Sequence, residues 1–369
     1  MAWLIQAAGL ALVALALADI FLTVLYARSG VGLLTLRLNR GTWRLFRWVA
    51  GLVLARRNRV LSFAGPTLVA LTVVVWVALL TVGFALVVWP RLGTGIQASS
   101  GPTPTDFVTA LYYSGYNLTT LGLGDLAPQT AFFRLLTVLE AAVGFSVLTL
   151  SLTYLASVYG ALARRNAFAL LLHHQSGGTA DAAELLERLG PGGDFTGARQ
   201  EISRFAAELL ALLEAHHAYP VLHYFRRNEP AYAMARIALT ALDAASLART
   251  VLDKKRHHAF AASAAVEALW GGGLRLLRET ARDFLPSGAA AAGGHSALET
   301  DERRWRLRYE AAIRRMAATG IGVAANAESY VALRRWWDAQ VRAFATDMAY
   351  SWSEIAPHED EGAAPDETR

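Results

Sequence analysis

The chain has 369 residues, of which 54% are hydrophobic, with a mean hydropathy of +0.31 and no cysteine. That balance is too apolar for an ordinary soluble protein of this length and puts part of the chain in a bilayer, while the missing cysteines exclude disulfides, thiolate nucleophiles and cysteine metal sites. The net charge of +5 rests almost wholly on arginine, Lys254 and Lys255 being the only lysines; in a membrane protein such arginines belong at the cytoplasmic surface, and no nucleic-acid partner is expected.

Residues 3–26 form an apolar run longer than the roughly 20 residues that cross a bilayer, so residues 1–30 are expected to hold a peripheral transmembrane helix. No basic residue precedes the run, which argues against a cleaved signal peptide. From Arg28 to Arg59 there are eight arginines and no acid, which places this stretch in the cytoplasm and the N-terminus outside. Asp19 lies inside the span, roughly 10 Å from its cytoplasmic end. Two readings stay open for it: a protonated or hydroxyl-paired carboxyl that fixes helix packing, or a charged functional group paired with an arginine of the next segment.

Residues 31–65 read as a basic amphipathic segment. Arg37, Arg40, Arg44 and Arg47 recur at three- and four-residue spacing and form one helical stripe. Such a helix lies on the inner leaflet and meets anionic lipids, with Trp43 and Trp48 as interfacial anchors. A voltage-sensing helix shares this spacing, but it needs a four-helix bundle with acidic counter-charges, and a single span precedes the stripe.

A second span is expected from Pro66 to Trp89, followed by a polar turret, 91–101. Thr103-Pro104-Thr105-Asp106 reads as a helix start, with Thr103 as N-cap, Pro104 at the first position and Asp106 reaching back, and the helix runs to about Leu118. The next residues are Thr119, Thr120, Leu121, Gly122, Leu123, Gly124 and Asp125. Alternating glycines permit alternating left-handed backbone angles, which turn successive carbonyls to one side. A third span runs from about Thr130 to Gly160. Its Ser146, Thr149, Ser151 and Thr153 either face a watery cavity or bond to their own i−4 carbonyls. Phe145, Leu148 and Leu152 share a face, with Ala156 below them.

Residues 66–165 resemble the pore domain of the potassium channel family: an outer helix, a re-entrant pore helix, a Thr-Thr-Leu-Gly-Leu-Gly-Asp selectivity filter and an inner helix. The resemblance implies that Thr120, Leu121, Gly122 and Leu123 hold dehydrated potassium ions with their oxygens. It makes Tyr112 and Tyr113 an aromatic cuff around the filter and Gly144 a gating hinge. Phe145, Leu148, Leu152 and Ala156 then line the cavity and gate. Leu123 departs from the family's commoner tyrosine. Tyr116 stands where several relatives carry a carboxylate, so Asp125 needs another donor, for which Tyr113 and Tyr116 are the candidates. One pore loop per chain supplies a quarter of a filter, which implies a homotetramer in the cell membrane.

From Asn166 the apolar runs shorten, and Ala, Leu, Arg and Glu recur at helical period. Residues 166–352 are expected to form a helical cytosolic regulatory domain, with helices over 179–189, 197–217, 231–251, 258–285, 299–318 and 328–353. An acidic, disordered tail over 353–369 is expected to follow. No dinucleotide fingerprint is present, no organic cofactor is inferred, and no nucleophile–base constellation suggests an enzyme. His173, His174, His216, His217, His223, His257 and His258 read as surface or interfacial groups ahead of a metal or pH site. Arg303, Arg304, Arg306 and Arg308 read as a solvated face ahead of a phosphate or lipid site. The fold class is thus an all-α membrane protein, and the function expected is a potassium-selective channel gated by its helical domain through an unknown ligand. Alternatives are a cation channel that also admits sodium, and a membrane-anchored receptor or transporter subunit that keeps a pore-like loop.

Overall fold

The computed structural model describes residues 1–26, 32–286 and 295–360. The chain divides into two compact units, Met1–Leu45 with Ala64–Gly160, and Phe46–Phe63 with Ala161–Arg369. Among the described residues, three helical stretches are long and apolar enough to cross a membrane, Ala2–Leu25, Ala64–Arg91 and Ala131–Gln175.

In the first unit, α1 (Ala2–Ile20) ends in a π-helical turn, Phe21–Leu25, and packs along α4 (Ala64–Val88). Their backbones meet where a Cβ on Gly9 would lie 2.5 Å from the Gly83 carbonyl oxygen, the small-residue contact by which membrane helices pack closely. Val13, Ala16 and Ile20 bury against Trp76, Leu80 and Phe84, and Leu118 and Val147 complete this core. Asp19 is fully buried. Its Oδ1 accepts from the Leu34 N–H at 2.8 Å, and its Oδ2 accepts from the Thr35 hydroxyl at 2.7 Å and the Trp76 indole N–H at 2.8 Å. The packing reading of Asp19 is thus the one these contacts describe: one carboxylate ties α1 to α4 and to the start of α2 (Thr35–Leu52).

Along α2, Thr35, Asn39, Trp43 and Ala50 are buried, and Arg37, Arg40, Arg44 and Arg47 are exposed. Trp43 therefore packs within the protein instead of anchoring at an interface, whereas Trp48 is exposed. Between α4 and α5 (Phe107–Leu118), the turret holds a strand the sequence did not signal. β1 (Ile96–Ala98) pairs antiparallel with β2 (Leu126–Pro128), in the register Ile96 with Pro128 and Ala98 with Leu126. Helix α5 also begins later than expected. Asp106 is its N-cap, accepting from the Thr109 N–H at 3.0 Å, because the Thr103 hydroxyl is taken by the Ala98 N–H at 2.9 Å.

Helix α6 (Ala131–Gln175) passes through Arg164 and Arg165, so the expected stop at Gly160 is absent. The second unit is built around α9 (Met234–Thr250), in which nearly every residue from Ala235 to Ala248 is buried. Alanine and leucine on every side of the helix suit such a central position, and its buried Asp243 is paired with Arg308. Helices α7 (Ala182–Leu189) and α11 (Ala264–Phe284) pack on it, and α8 (Ala198–Ala218) packs on α11.

Two expected helices are broken. Asp253 caps α10 (Lys254–Ala261) and Ser263 caps α11, which splits 258–285. Fully buried Trp337 separates α13 (Ala327–Arg334) from α14 (Asp338–Asp347), which splits 328–353. The expected disordered tail is also corrected: short helices cover Trp352–Ile355 and Pro357–Asp360, and Glu359 buries its carboxylate against Arg334. The rest of that tail, 361–369, lies outside the described residues.

In α12 (His295–Ala318), Arg304 pairs with Asp301 at 2.6 Å and Arg306 with Glu328 at 2.9 Å. Arg308 departs from the solvated face: it is buried between Asp243 and Asp181. Among the described residues no group of His, Asp and Glu is arranged to hold a metal ion.

Candidate functional site

The site forms where α5 ends. Its last turn presents carbonyls to the following loop, and the Tyr116 carbonyl accepts from both Leu121 N–H at 2.8 Å and Gly122 N–H at 3.4 Å. The loop then alternates in handedness, with φ of +59° at Thr120, +58° at Gly122 and +76° at Gly124. Glycine explains two of these angles; Thr120 takes the third despite its branched Cβ. Residues Thr119 to Asp125 are exposed on this single chain. The negative end of the α5 dipole lies at the start of the loop and favours a cation there.

The loop's outer end is tied to the turret. Ser99 donates its hydroxyl to the Gly124 carbonyl at 2.6 Å and its N–H to the Asp125 carbonyl at 2.8 Å. The Asp125 carboxylate accepts from the Tyr112 hydroxyl at 2.9 Å and from the Leu126 N–H at 3.1 Å. Its donor is therefore Tyr112 and neither Tyr113 nor Tyr116. The buried tyrosines have spent their hydroxyls elsewhere, Tyr116 on the Leu126 carbonyl at 2.9 Å and Tyr113 on Thr137 at 2.6 Å. The three rings pack edge to face through Tyr116, at centroid distances of 5.2 and 5.4 Å.

Behind the loop, Gly144 of α6 abuts Leu118, and a Cβ there would meet the Leu118 carbonyl oxygen at 1.8 Å. Close approach is a reason for this glycine distinct from bending, and α6 is helical through it. One residue escaped sequence reasoning: Glu140, fully buried on α6, contacts the Ser114 hydroxyl of the pore helix. The available signal was a lone acid in an otherwise apolar helix.

Below the loop is a cavity of about 140 Å³ whose lining includes Thr119, Thr120, Gly144, Phe145, Leu148 and Ser151. Leu152 and Ala156 do not line it, although both are exposed further along α6. The hydroxyls of Ser146, Thr149 and Thr153 bond to carbonyls one turn back, at 2.7 to 3.0 Å. Buried Ser151 has no hydrogen-bond partner for its hydroxyl among the described residues.

Residues 71–160 match the family described as "Ion channel". The uncharacterized membrane protein YdjJ of Bacillus subtilis (strain 168) is 32% identical over 225 residues, covering 60% of this chain and 63% of the relative. The chain thus spans less than two thirds of that relative's length. No solved structure matches the chain significantly. Residues 71–160 of this helical membrane protein thus carry an ion channel domain.

Proposed function

We propose that four copies of this chain assemble around one pore and conduct potassium selectively across the cell membrane, with the N-terminus outside and the helical C-terminal unit in the cytoplasm. The observation that carries this reading is the alternation of left-handed backbone at Thr120, Gly122 and Gly124, directly after a helix whose negative end favours a cation. In a ring of four, the oxygens of Thr120, Leu121, Gly122 and Leu123 replace the water shell of a dehydrated ion. Tyr112, Tyr113 and Tyr116 brace that ring through the bonds described above. Phe145 and Leu148 face the cavity below the loop, Leu152 and Ala156 lie exposed further along α6 toward the gate, and the arginines of α2 meet anionic lipid. The C-terminal unit biases a closed-to-open equilibrium, for which a few kcal/mol of differential binding suffices.

Leu123 favours a second reading, a cation channel that also admits sodium, because leucine has no hydroxyl with which to hold the filter wall from behind. Purified protein in liposomes, given opposed potassium and sodium gradients, separates the two. A reversal potential that follows potassium alone supports the first reading, one set by both ions supports the second, and the absence of any cation flux removes both.

A further inference from the structure

Within the C-terminal unit, a cavity of about 20 Å³ is lined by Arg165, His216, His223, Arg226, Tyr232 and Tyr350, among others. A water needs about 10 to 15 Å³ measured this way, so the space suits one small occupant. Its walls carry Arg165 and Arg226, and the Asp347 carboxylate lies 3.0 Å from Nε2 of the lining His223. Arg165 is buried, donates to the Leu222 carbonyl at 2.9 Å and the Phe225 carbonyl at 2.7 Å, and has no partner for its Nε–H. Arg226 is buried too. It donates to the Met348 carbonyl at 3.0 Å and to Asn58 Oδ1 at 2.8 Å, and lies over the Tyr350 ring at 4.1 Å. His216 donates Nδ1–H to the Leu212 carbonyl at 2.8 Å, and its Nε2 has no partner.

Two of the unit's other buried guanidiniums are neutralised by carboxylates, whereas Arg236, also buried, meets only the Gly178 carbonyl among the described residues. Arg308 touches Asp181 and Asp243, and Arg334 touches Asp243, Asp338 and Glu359. Among the described residues, neither Arg165 nor Arg226 forms an ion pair. A buried cation that lacks a counter-charge is strongly unfavourable, and carbonyls supply partial charge only. An anion in the cavity supplies the missing charge and a partner for the free Arg165 Nε–H.

We propose that this cavity is a binding site for a small monovalent anion, of chloride to bicarbonate size, held between Arg165 and Arg226. Arg165 lies on α6 and Asn58 on the segment that precedes α4, so a bound anion steadies both chain segments that lead into the two pore helices. That regulatory use rests on the channel reading; the site itself does not.

The test uses the full-length protein in detergent at fixed pH, ionic strength and cation, with gluconate, which is too large for the cavity, replaced stepwise by bromide. A saturable rise of a few degrees in the unfolding midpoint is expected, together with an anomalous-scattering peak between Arg165 and Arg226 in bromide-soaked crystals. Arg226→Gln should raise the half-saturating bromide concentration about tenfold or more, as loss of one charge-assisted bond implies. If that variant does not fold, Ala233→Val, which fills the cavity wall while keeping every charge, should remove the bromide response. An equal bromide response in a folded variant marks a general salt effect and overturns the site, as does the absence of both rise and peak in the wild type. Bromide binding by a protein that passes no cation leaves the site standing and removes the channel reading. Cation flux without any bromide response removes the site alone.

Discussion

The Leu118 carbonyl oxygen lies where a Cβ on Gly144 would come within 1.8 Å of it, so the inner helix touches the last turn of the pore helix backbone to backbone. Within a helix, alanine is favoured over glycine by about 1 kcal/mol, so on helical grounds alone Gly144→Ala should stabilise. The Leu118 backbone cannot yield without moving the loop that begins at Thr119. Gly144→Ala is therefore expected to lower single-channel conductance and potassium selectivity together. A glycine that serves only as a hinge would change open probability and leave both of those untouched, and single-channel recording distinguishes the outcomes.

Gly122 and Gly124 hold φ of +58° and +76°, where a Cβ costs roughly 1 to 2 kcal/mol per residue, incurred once per subunit. Either alanine variant is expected to abolish conduction while the protein still assembles. Size-exclusion chromatography and liposome flux on the same preparation check this. Wild-type flux in both variants would remove the filter assignment.

Tyr112 is the side-chain partner of Asp125 at the outer end of the loop. Tyr112→Phe keeps the ring's contact with Tyr116 and deletes only the hydroxyl. Conducting periods should shorten several-fold while the open-channel selectivity is unchanged, and Asp125→Ala should behave alike, since both remove the same bond. Unaltered dwell times in both variants would show that this bond does not hold the filter.

The left-handed turns of the loop after α5 were legible because Gly122 and Gly124 are forced by backbone sterics, and the helix end at Leu118 because the loop must follow it. Thr120 carried no such signal, since its left-handed angle is imposed by the hydrogen bonds around it. The helix start was misread because Thr103 and Asp106 are both good caps; the choice fell to β1, whose Ala98 N–H takes the threonine. Two three-residue strands have too little periodicity to be seen. Nor does composition reveal that Phe46–Phe63 groups with the C-terminal helices, which depends on partners far along the chain, such as Arg47 with Asp347 at 3.6 Å and Asn58 with Arg226.

Acid should destabilise the C-terminal unit in two windows. Burial, reinforced by Arg165, pushes His216 down to about 3, and burial, reinforced by Arg308, pushes His358 down to about 4. Both are neutral when folded and take up protons at about 6.5 when unfolded. Their contribution is present above pH 6.5 and lost as pH falls toward 3 to 4. For Glu359, burial works to raise its pKa, but Arg334 prevails and holds it near 2. Its contribution is present above about 4.3 and lost below that. Denaturant midpoints across pH 3 to 7 should therefore fall monotonically with acid, and His216→Gln should flatten the upper window. A midpoint that rises between pH 6.5 and 4.5 would contradict the assignment.

Arg334 is fully buried, donating to Asp338 at 2.9 Å and to the Tyr330 hydroxyl at 2.7 Å, contacting Glu359 and lying 4.9 Å from the Trp337 ring centroid. Replacing such a network by apolar groups can be neutral, whereas removing one partner strands buried charge and costs about 3 to 5 kcal/mol. Arg334→Met is therefore expected to destabilise by about that amount. Arg334→Lys should recover little, because an ammonium cannot reproduce the planar fork that reaches three partners on two sides. Glu359→Gln on the Met background should restore part of the loss, since it removes one of the stranded carboxylates, while Arg304 and Arg342, each within 4 Å of Glu359, limit the recovery. The double-mutant cycle in urea should thus show a coupling of about 1 kcal/mol or more between positions 334 and 359. Strict additivity would mean that the two side chains do not share one network, and that Arg342 and Arg304 alone neutralise Glu359.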